Sequence, residues 1–388
     1  MPSILLYIAT ALLLVQLLYY FGLYDRICRY NQAAQRGEIH YSQSLPPLSV
    51  VLTVSKESDL LRRHLPAILT QDYPQYEVIV IDDGKTSESE ELLCELEEQY
   101  PHLYHSFVPS SSRYVSHKKL AITLGIRASK YDWIVLTEAD CCPTSGQWLR
   151  RMARHFTPRT QVVLGHSGYL PAQGWLARKA DFDLLLQSMR RWGSALAGHP
   201  YMGIGRNLAF RKELFYQVKG FSAHLHLTRG EDDLFVNQVA TGDNTRVECS
   251  PEAAMRREGV KRKKEWWNEK VNYAFTARYY RGLQRWLMGG ETLSRLGFYG
   301  CNGAAFVWAL LAAQWGWAGV ALLLGILRWG LQAYVFHRAA RSLGEAHRFY
   351  ASLPLFDLLQ PLQSLRMKWA ARRINATRSA WTGQDGCE

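Results

Sequence analysis

The chain has 388 residues, more than one compact core usually organises, so a catalytic-sized domain with appendages fits better than a single module. Hydrophobic residues make up 48% and charged residues 21%, which excludes a disordered or low-complexity protein. The 46 Lys and Arg against 34 Asp and Glu give +12, favouring anionic partners such as phosphates, nucleotides or acidic lipid headgroups without choosing among them.

Residues 3–24 contain no ionisable side chain other than Tyr, and a helix of that length crosses roughly 30 Å of hydrocarbon. No basic start and no small-x-small cleavage site suggest a signal peptide, so residues 1–25 read as a transmembrane anchor. Arg26, Arg29 and Arg36 follow, placing residue 25 onward in the cytoplasm, with 26–45 as a linker.

Beyond the linker, short β-branched runs alternate with helical spacing. LSVVLTV (48–54) and EVIVID (77–82) read as buried parallel strands, joined by a helix over 60–71 into a βαβ unit. WIVLTEAD (133–140) is a further strand, preceded by a helix over 118–129; others are expected near 104–108, 162–165, 207–210 and 246–249. The class is α/β with a Rossmann-like, mostly parallel sheet, in which ligands gather past the carboxyl ends of the strands. Those ends carry Ser55-Lys56-Glu57, Asp82-Asp83-Gly84 and Glu138-Ala139-Asp140. Asp-Gly after a single strand is usually a turn; three acidic ends are harder to dismiss.

Glu138 and Asp140 point the same way in extended chain, and neighbouring carboxylates repel unless a cation neutralises them. Mg²⁺ or Mn²⁺ shared with a substrate diphosphate would do so. Arg229-Gly230-Glu231-Asp232-Asp233 precedes a helical run, so its acids are either a cap or a general base. Lys118 opens a helix where phosphate is welcome, and Arg206-Asn207 follow the flexible Gly203-Ile204-Gly205. The basic cluster from Arg256 to Lys264 runs into Trp266-Trp267, which reads as an interfacial belt, a sugar platform or a solvated face.

Residues 296–327 carry no charge and the apolar pattern resumes through Phe336, which predicts a transmembrane hairpin over 296–336 turning near 315–319. Arg328 would sit in its second leg and must snorkel or find a partner. In the basic tail, 337–388, the apolar run 349–365 is interrupted by Pro354, Asp357 and Pro361 and suits an interfacial helix; a helix packed on the domain fits almost as well. Seven scattered cysteines without a C-x-x-C pair read as reduced thiols.

Over residues 46–285 these motifs together resemble a membrane-bound family 2 glycosyltransferase with a GT-A catalytic domain. The resemblance implies nucleotide contacts at Glu57, Asp82, Asp83, Lys118 and Glu138. TEADC resembles the metal-binding Asp-x-Asp segment, implying metal at Asp140 and, less securely, at Glu138, which replaces an Asp. GEDD resembles the motif of the catalytic base in inverting members, which maps onto Asp232, with Glu231 and Asp233 as fallbacks. GIGRNLAF resembles the segment bordering the acceptor site; Arg206, Asn207, Trp266 and Trp267 are the acceptor candidates. Processive members carry Gln-x-x-Arg-Trp where this chain reads Glu269-Lys270-Val271-Asn272-Tyr273, so a single sugar transfer is expected. The expected partners are a nucleotide-sugar donor, a lipid-linked or glycan acceptor and membrane lipids, at the cytoplasmic face of the inner membrane, with no nucleic acid. The rivals are a nucleotidyl- or phosphoryl-transferring membrane enzyme and a catalytically degenerate scaffold.

Overall fold

The computed structural model describes residues 2–54, 58–84, 86–109 and 116–374. The N-terminal apolar run forms α1 (Pro2–Tyr19) and continues through a π turn at Tyr20–Tyr24 into α2 (Arg26–Gln35). Residues 26–35, expected as linker, thus prolong the helix; no proline interrupts them.

The central sheet then builds as the apolar runs foretell. β1 (Leu48–Val54), α3 (Ser58–Leu69) and β2 (Tyr76–Asp82) make a βαβ unit, paired in parallel from Leu48 and Tyr76 to Val54 and Asp82. α4 (Ser87–Gln99), started by a reciprocal Thr86–Ser89 capping box, leads to β3 (Leu103–Phe107), a half-exposed edge strand. α5 (His117–Ala128) leads to β4 (Trp133–Glu138), which pairs with β1 on its other side.

The second half adds β5 (Cys141–Pro143), α6 (Trp148–Ala153), β6 (Val162–Gly165), β7 (Ser167–Tyr169), α7 (Trp175–Leu196), β8 (Leu208–Arg211) and α8 (Lys212–Gln217). α9 (Asp233–Val239), β9 (Thr245–Glu248), β10 (Met255–Arg257) and α10 (Lys263–Thr276) complete the domain. Seven strands are ordered β3-β2-β1-β4-β8-β6-β9, parallel except for β8, which runs against both neighbours. A small sheet, β5-β10-β7, lies beside it. Apolar side chains cover both faces of the large sheet, so its strands need no polar alternation.

One buried ion cluster ties α6 to β9. Glu248, fully buried, accepts two bonds from Arg154 (2.7 and 2.9 Å) and one contact from His155 (3.0 Å). Burial alone would raise its carboxyl, but the His155 bond and the His155 and Arg154 charges outweigh it and hold the group at about 2. A depressed carboxylate stabilises the fold above its unfolded value, near 4.5, and that contribution fades as pH falls toward 2. Glu248→Gln should therefore cost about 3 kcal/mol at neutral pH and flatten the acid side of the melting-temperature profile; an unchanged profile would exclude this cluster as the cause.

Three long helices follow: α11 (Gln284–Leu311), α12 (Trp315–Ser342) and α13 (Leu353–Arg372). Among the described residues two helices are long and apolar enough to cross a membrane, the continuous 2–35 and α12. The hairpin turns at 312–314, earlier than expected, where Ala313 takes φ 51°. α11 also begins before 296 and carries Arg285, Glu291 and Arg295 in its first half. It lies along α1, where Ala9, Leu13 and Phe298 are buried together. α7 crosses the π turn so closely that a Cβ on Gly193 would meet the Leu23 carbonyl oxygen at 2.4 Å, which only glycine permits.

Arg328 finds its partner in α13. Its guanidinium donates to Asp357 (2.7 Å), Gln16 (2.6 Å) and Tyr299 (2.8 Å), and Asp357 also pairs with Arg295 (3.0 Å). Asp357 is fully buried, so α13 is held to the domain and to the hairpin on that side while Leu358, Leu362, Leu365 and Trp369 stay exposed on the other. The α12–α13 connection also returns to the domain: Glu345 accepts from His166 (2.6 Å) and Arg256 (2.7 Å).

Candidate active site

A cavity of about 590 Å³ opens at the carboxyl end of β4, between the start of α5, the start of α9 and one face of α10. β4 delivers Glu138 as its last residue and Asp140 two positions on; α5, capped by Ser116, delivers Lys118 in its first turn. The chain before β8 brings Arg206, and Asp232 is the N-cap residue of α9. α10 contributes Glu269, Asn272, Tyr273 and Thr276, which share a face by helical spacing.

The charged groups form an unbroken alternating chain across the cavity. Glu231 pairs with Lys118 (3.0 Å), Lys118 with Glu138 (2.6 Å), Glu138 with Arg206 (3.0 Å), and Arg206 with Glu269 (3.3 Å). Glu269 then pairs with Arg257 (2.7 Å), which reaches Asp140 at 3.8 Å. Although burial opposes it, Lys118 and Arg206 hold the Glu138 carboxyl well below its ordinary range, and Lys118 likewise lowers Glu231. Glu138 and Glu231 push the Lys118 ammonium up against the same burial.

Asp232 and Asp233 behave differently. Asp232 is buried and accepts from Gly205 N–H (3.0 Å), Asp233 N–H (2.7 Å) and the Tyr273 hydroxyl (3.3 Å). Burial and the neighbouring Glu231 charge nevertheless raise its carboxyl above the usual range, outweighing Lys118 and the backbone donors. Asp233 accepts from the Tyr280 hydroxyl (2.7 Å) and from Thr276, while burial and Asp232 push it up to about 7. The expected cap is real, and the flexible Gly203–Gly205 stretch supplies one of its donors through Gly205 N–H.

Glu138, Asp140, Lys118, Arg206, Trp266 and the three acids 231–233 all line this cavity. Asp82 ends β2 buried, accepting from Gly84 N–H (2.8 Å) and Ser89 (2.6 Å). Asp83 bonds His117 (2.8 Å), the residue before Lys118, and so stands beside the cavity rather than in its wall. Glu57 lies outside the described residues.

Two acceptor expectations need correction. Asn207 is buried and points away from the cavity, accepting from Trp148 (3.0 Å) and donating to the carbonyls of His166 and Ala253 (2.7 and 2.8 Å). The chain turns at 204–207, where Asn207 N–H bonds the Ile204 carbonyl (3.1 Å), and this turn aims Arg206 and Asn207 at different surroundings. Trp267 packs with the cluster around Val271 and Met367, under Arg366, outside the cavity wall.

Each oxygen of Glu138 accepts one bond here, from Lys118 (2.6 Å) and from Arg206 (3.0 Å). Among the described residues no group of three or more His, Cys, Asp or Glu is placed to hold a metal by itself. Asp140 keeps spare capacity, contacted by the Cys141 thiol (3.2 Å) and distantly by Arg257. One carboxylate completed by substrate phosphates and water suits a hard divalent ion, so the residues present fit such a metal through Asp140. Glu269, Arg257, Tyr273, Thr276 and Tyr280 are the residues sequence reasoning did not assign to the site.

With this geometry in place, the comparisons with known proteins agree. The family described as "Glycosyl transferase family 2" matches residues 49–262, more than half of the chain, and the chain belongs to it. Similar curated proteins include the Poly-beta-1,6-N-acetyl-D-glucosamine synthase of Staphylococcus epidermidis, 26% identical over 98 residues, 25% of this chain and 23% of that protein. Glycosyltransferase AglE of Haloferax volcanii is 29% identical over 112 residues, 28% of this chain and 35% of AglE. The chain thus spans only about a quarter to a third of the length of these curated relatives. Among solved structures, the mannosyltransferase PcManGT from Pyrobaculum calidifontis, described in complex with GDP-Man and Mn²⁺, is similar with a TM-score of 0.52 and 20% identity. That likeness covers 87% of this chain and 98% of PcManGT, and shows a shared GT-A-type fold.

Proposed function

We propose that this protein is an inverting glycosyltransferase that moves one sugar from a nucleotide donor to an acceptor hydroxyl, with Asp232 as the base. The observation that carries this reading is the buried Asp232 carboxylate in the wall of a family 2 cavity, raised in basicity and fixed by Gly205 and Tyr273. In the reaction Asp232 takes the proton of the acceptor hydroxyl as its oxygen bonds to the anomeric carbon and the bond to the diphosphate breaks. Glu231, bound to Lys118, stays ionised and holds Asp232 basic; Asp233 orders the start of α9 through its bonds to α10 and Tyr280. Arg206 borders the acceptor side of the cavity, and Asp82 and Asp83 lie where the nucleoside would extend beyond it.

The cavity wall carries eight acids against five bases, so an anionic diphosphate alone would be repelled from it. A divalent cation, Mg²⁺ or Mn²⁺ at Asp140, would neutralise the departing nucleoside diphosphate. Asp140→Asn should bind nucleoside diphosphate equally with and without Mn²⁺ in a titration where wild type binds it more tightly with the metal. Persistent metal enhancement in the variant would remove Asp140 from this role.

A base must be deprotonated to act, and its acidic neighbourhood holds Asp232 above ordinary carboxylates. The rate should therefore fall on the acid side at a midpoint above the usual carboxylate range. A pH profile of kcat/KM flat down to the normal aspartate range would contradict the assignment.

The helix over 2–35, α12 and the arginines flanking them support membrane attachment with the domain on the cytoplasmic face, and hence a lipid-linked or envelope-glycan acceptor. Turnover of a panel of sugar nucleotides by the full chain in membranes tests the reading as a whole.

A further inference from the structure

On the side of α10 away from the active cavity, α7, α10 and α13 enclose a second, smaller cavity of about 30 Å³. Its wall is mixed: Lys270, Arg190 and four amide or hydroxyl side chains line it beside Leu186 and Met367, with Asp183 as the carboxylate. Lys270 is only 7% exposed, yet among the described residues its ammonium has no hydrogen-bond or ion-pair partner. The carboxylates nearest to it are already engaged, Glu269 by Arg206 and Arg257, and Asp183 by Lys179 (2.8 Å). Arg190 pairs with Glu291 but leaves its buried Nε without a partner. The Lys270 ammonium and the free Nε of the paired Arg190 are thus donors that an anion in this cavity would satisfy.

The surroundings extend the same charge outward. Partial burial lowers the Lys368 ammonium, and the charges of Arg190, Arg285 and Arg372 lower it further, so these cations lie close together. Around them stand exposed apolar side chains: Leu283 and Trp286 at the start of α11, and Leu362, Leu365 and Trp369 on α13. A soluble anion has no use for that apolar rim, whereas a phospholipid brings both an anionic head and chains to cover it.

We propose that the cavity between α7, α10 and α13 receives the phosphodiester oxygens of an anionic phospholipid, with Lys270 and Arg190 at its deep end and Lys368 at its mouth. The volume admits the phosphate oxygens and leaves the glyceryl group outside, among Lys368, Arg285 and Trp369. This inference rests on the membrane attachment proposed above and is independent of the sugar chemistry, so failure of lipid binding leaves turnover in neutral detergent untouched as a separate test.

The experiment uses the full chain in neutral detergent, with phosphatidylglycerol, phosphatidylcholine or inorganic phosphate added, read by native mass spectrometry and thermal melting. Phosphatidylglycerol should be retained and should raise the melting temperature more than the other two. Lys270→Met and Lys368→Gln should each weaken its retention roughly tenfold, the value of one charge-assisted contact, while Lys263→Gln on the exposed start of α10 should not. Lys368 is exposed, so its variant tests the site even if Lys270→Met fails to fold. Equal retention in both variants, an equal loss in Lys263→Gln, or equal stabilisation by inorganic phosphate would overturn the proposal.

Discussion

Asp232→Asn should lower kcat/KM for sugar transfer by about 10²–10⁴, the usual contribution of a general base, while nucleoside diphosphate affinity changes by less than about twofold. Asparagine retains one oxygen for the Asp233 N–H group, so the start of α9 keeps that cap bond, while its amide nitrogen cannot accept from Gly205 N–H and the proton acceptor disappears. Asp233→Asn serves as the contrast. Its carboxyl faces Thr276 and Tyr280, so that change should act on stability more than on the chemical step. Wild-type turnover by Asp232→Asn would remove the assigned base.

Asp357→Ala should be the most damaging substitution away from the active cavity. It leaves the buried guanidinium groups of Arg295 and Arg328 without their shared carboxylate and Tyr299 and Gln332 without an acceptor. Removing one partner from a buried ion pair costs about 3–5 kcal/mol because the remaining charge is stranded. The full chain in detergent should melt at a markedly lower temperature, and Arg328→Met combined with Asp357→Leu should recover part of the loss. An unchanged melting temperature for Asp357→Ala would show that the two arginines find other partners.

Much of the domain was readable in the sequence because its strongest signals are local. The runs at 48–54, 77–82 and 133–140 had to be buried strands, and each strand ends within a residue or two of the expected position. The reversed direction of β8 was not readable, since a four-residue strand carries no mark of its orientation. The strands β5, β7 and β10 are three residues each, too short for a period. α7 is buried nearly all round over 22 residues, so it lacks the polar stripe that announces a surface helix.

The site divides the same way. Acids directly beyond strand ends, Asp140 above all, were legible from the topology of parallel sheets, and so was the RGEDD cap. The α10 contribution was present as Glu269, Asn272, Tyr273 and Thr276 at helical spacing, a polar stripe on a helix otherwise read for a missing motif. Arg328 and Asp357 each looked misplaced in an apolar run; their meeting explains both, and only the third dimension shows it. Asn207 was expected in the cavity because it adjoins Arg206, but the turn at 204–207 sends the two side chains to different surroundings.

The stereochemistry at the transferred sugar tests the account most directly. A single base beside a single leaving group permits one displacement, so NMR of the new linkage should show the anomeric configuration opposite to that of the donor. Retained configuration would require a covalent intermediate or a front-side route, and Asp232 as sole base would then be the wrong chemistry.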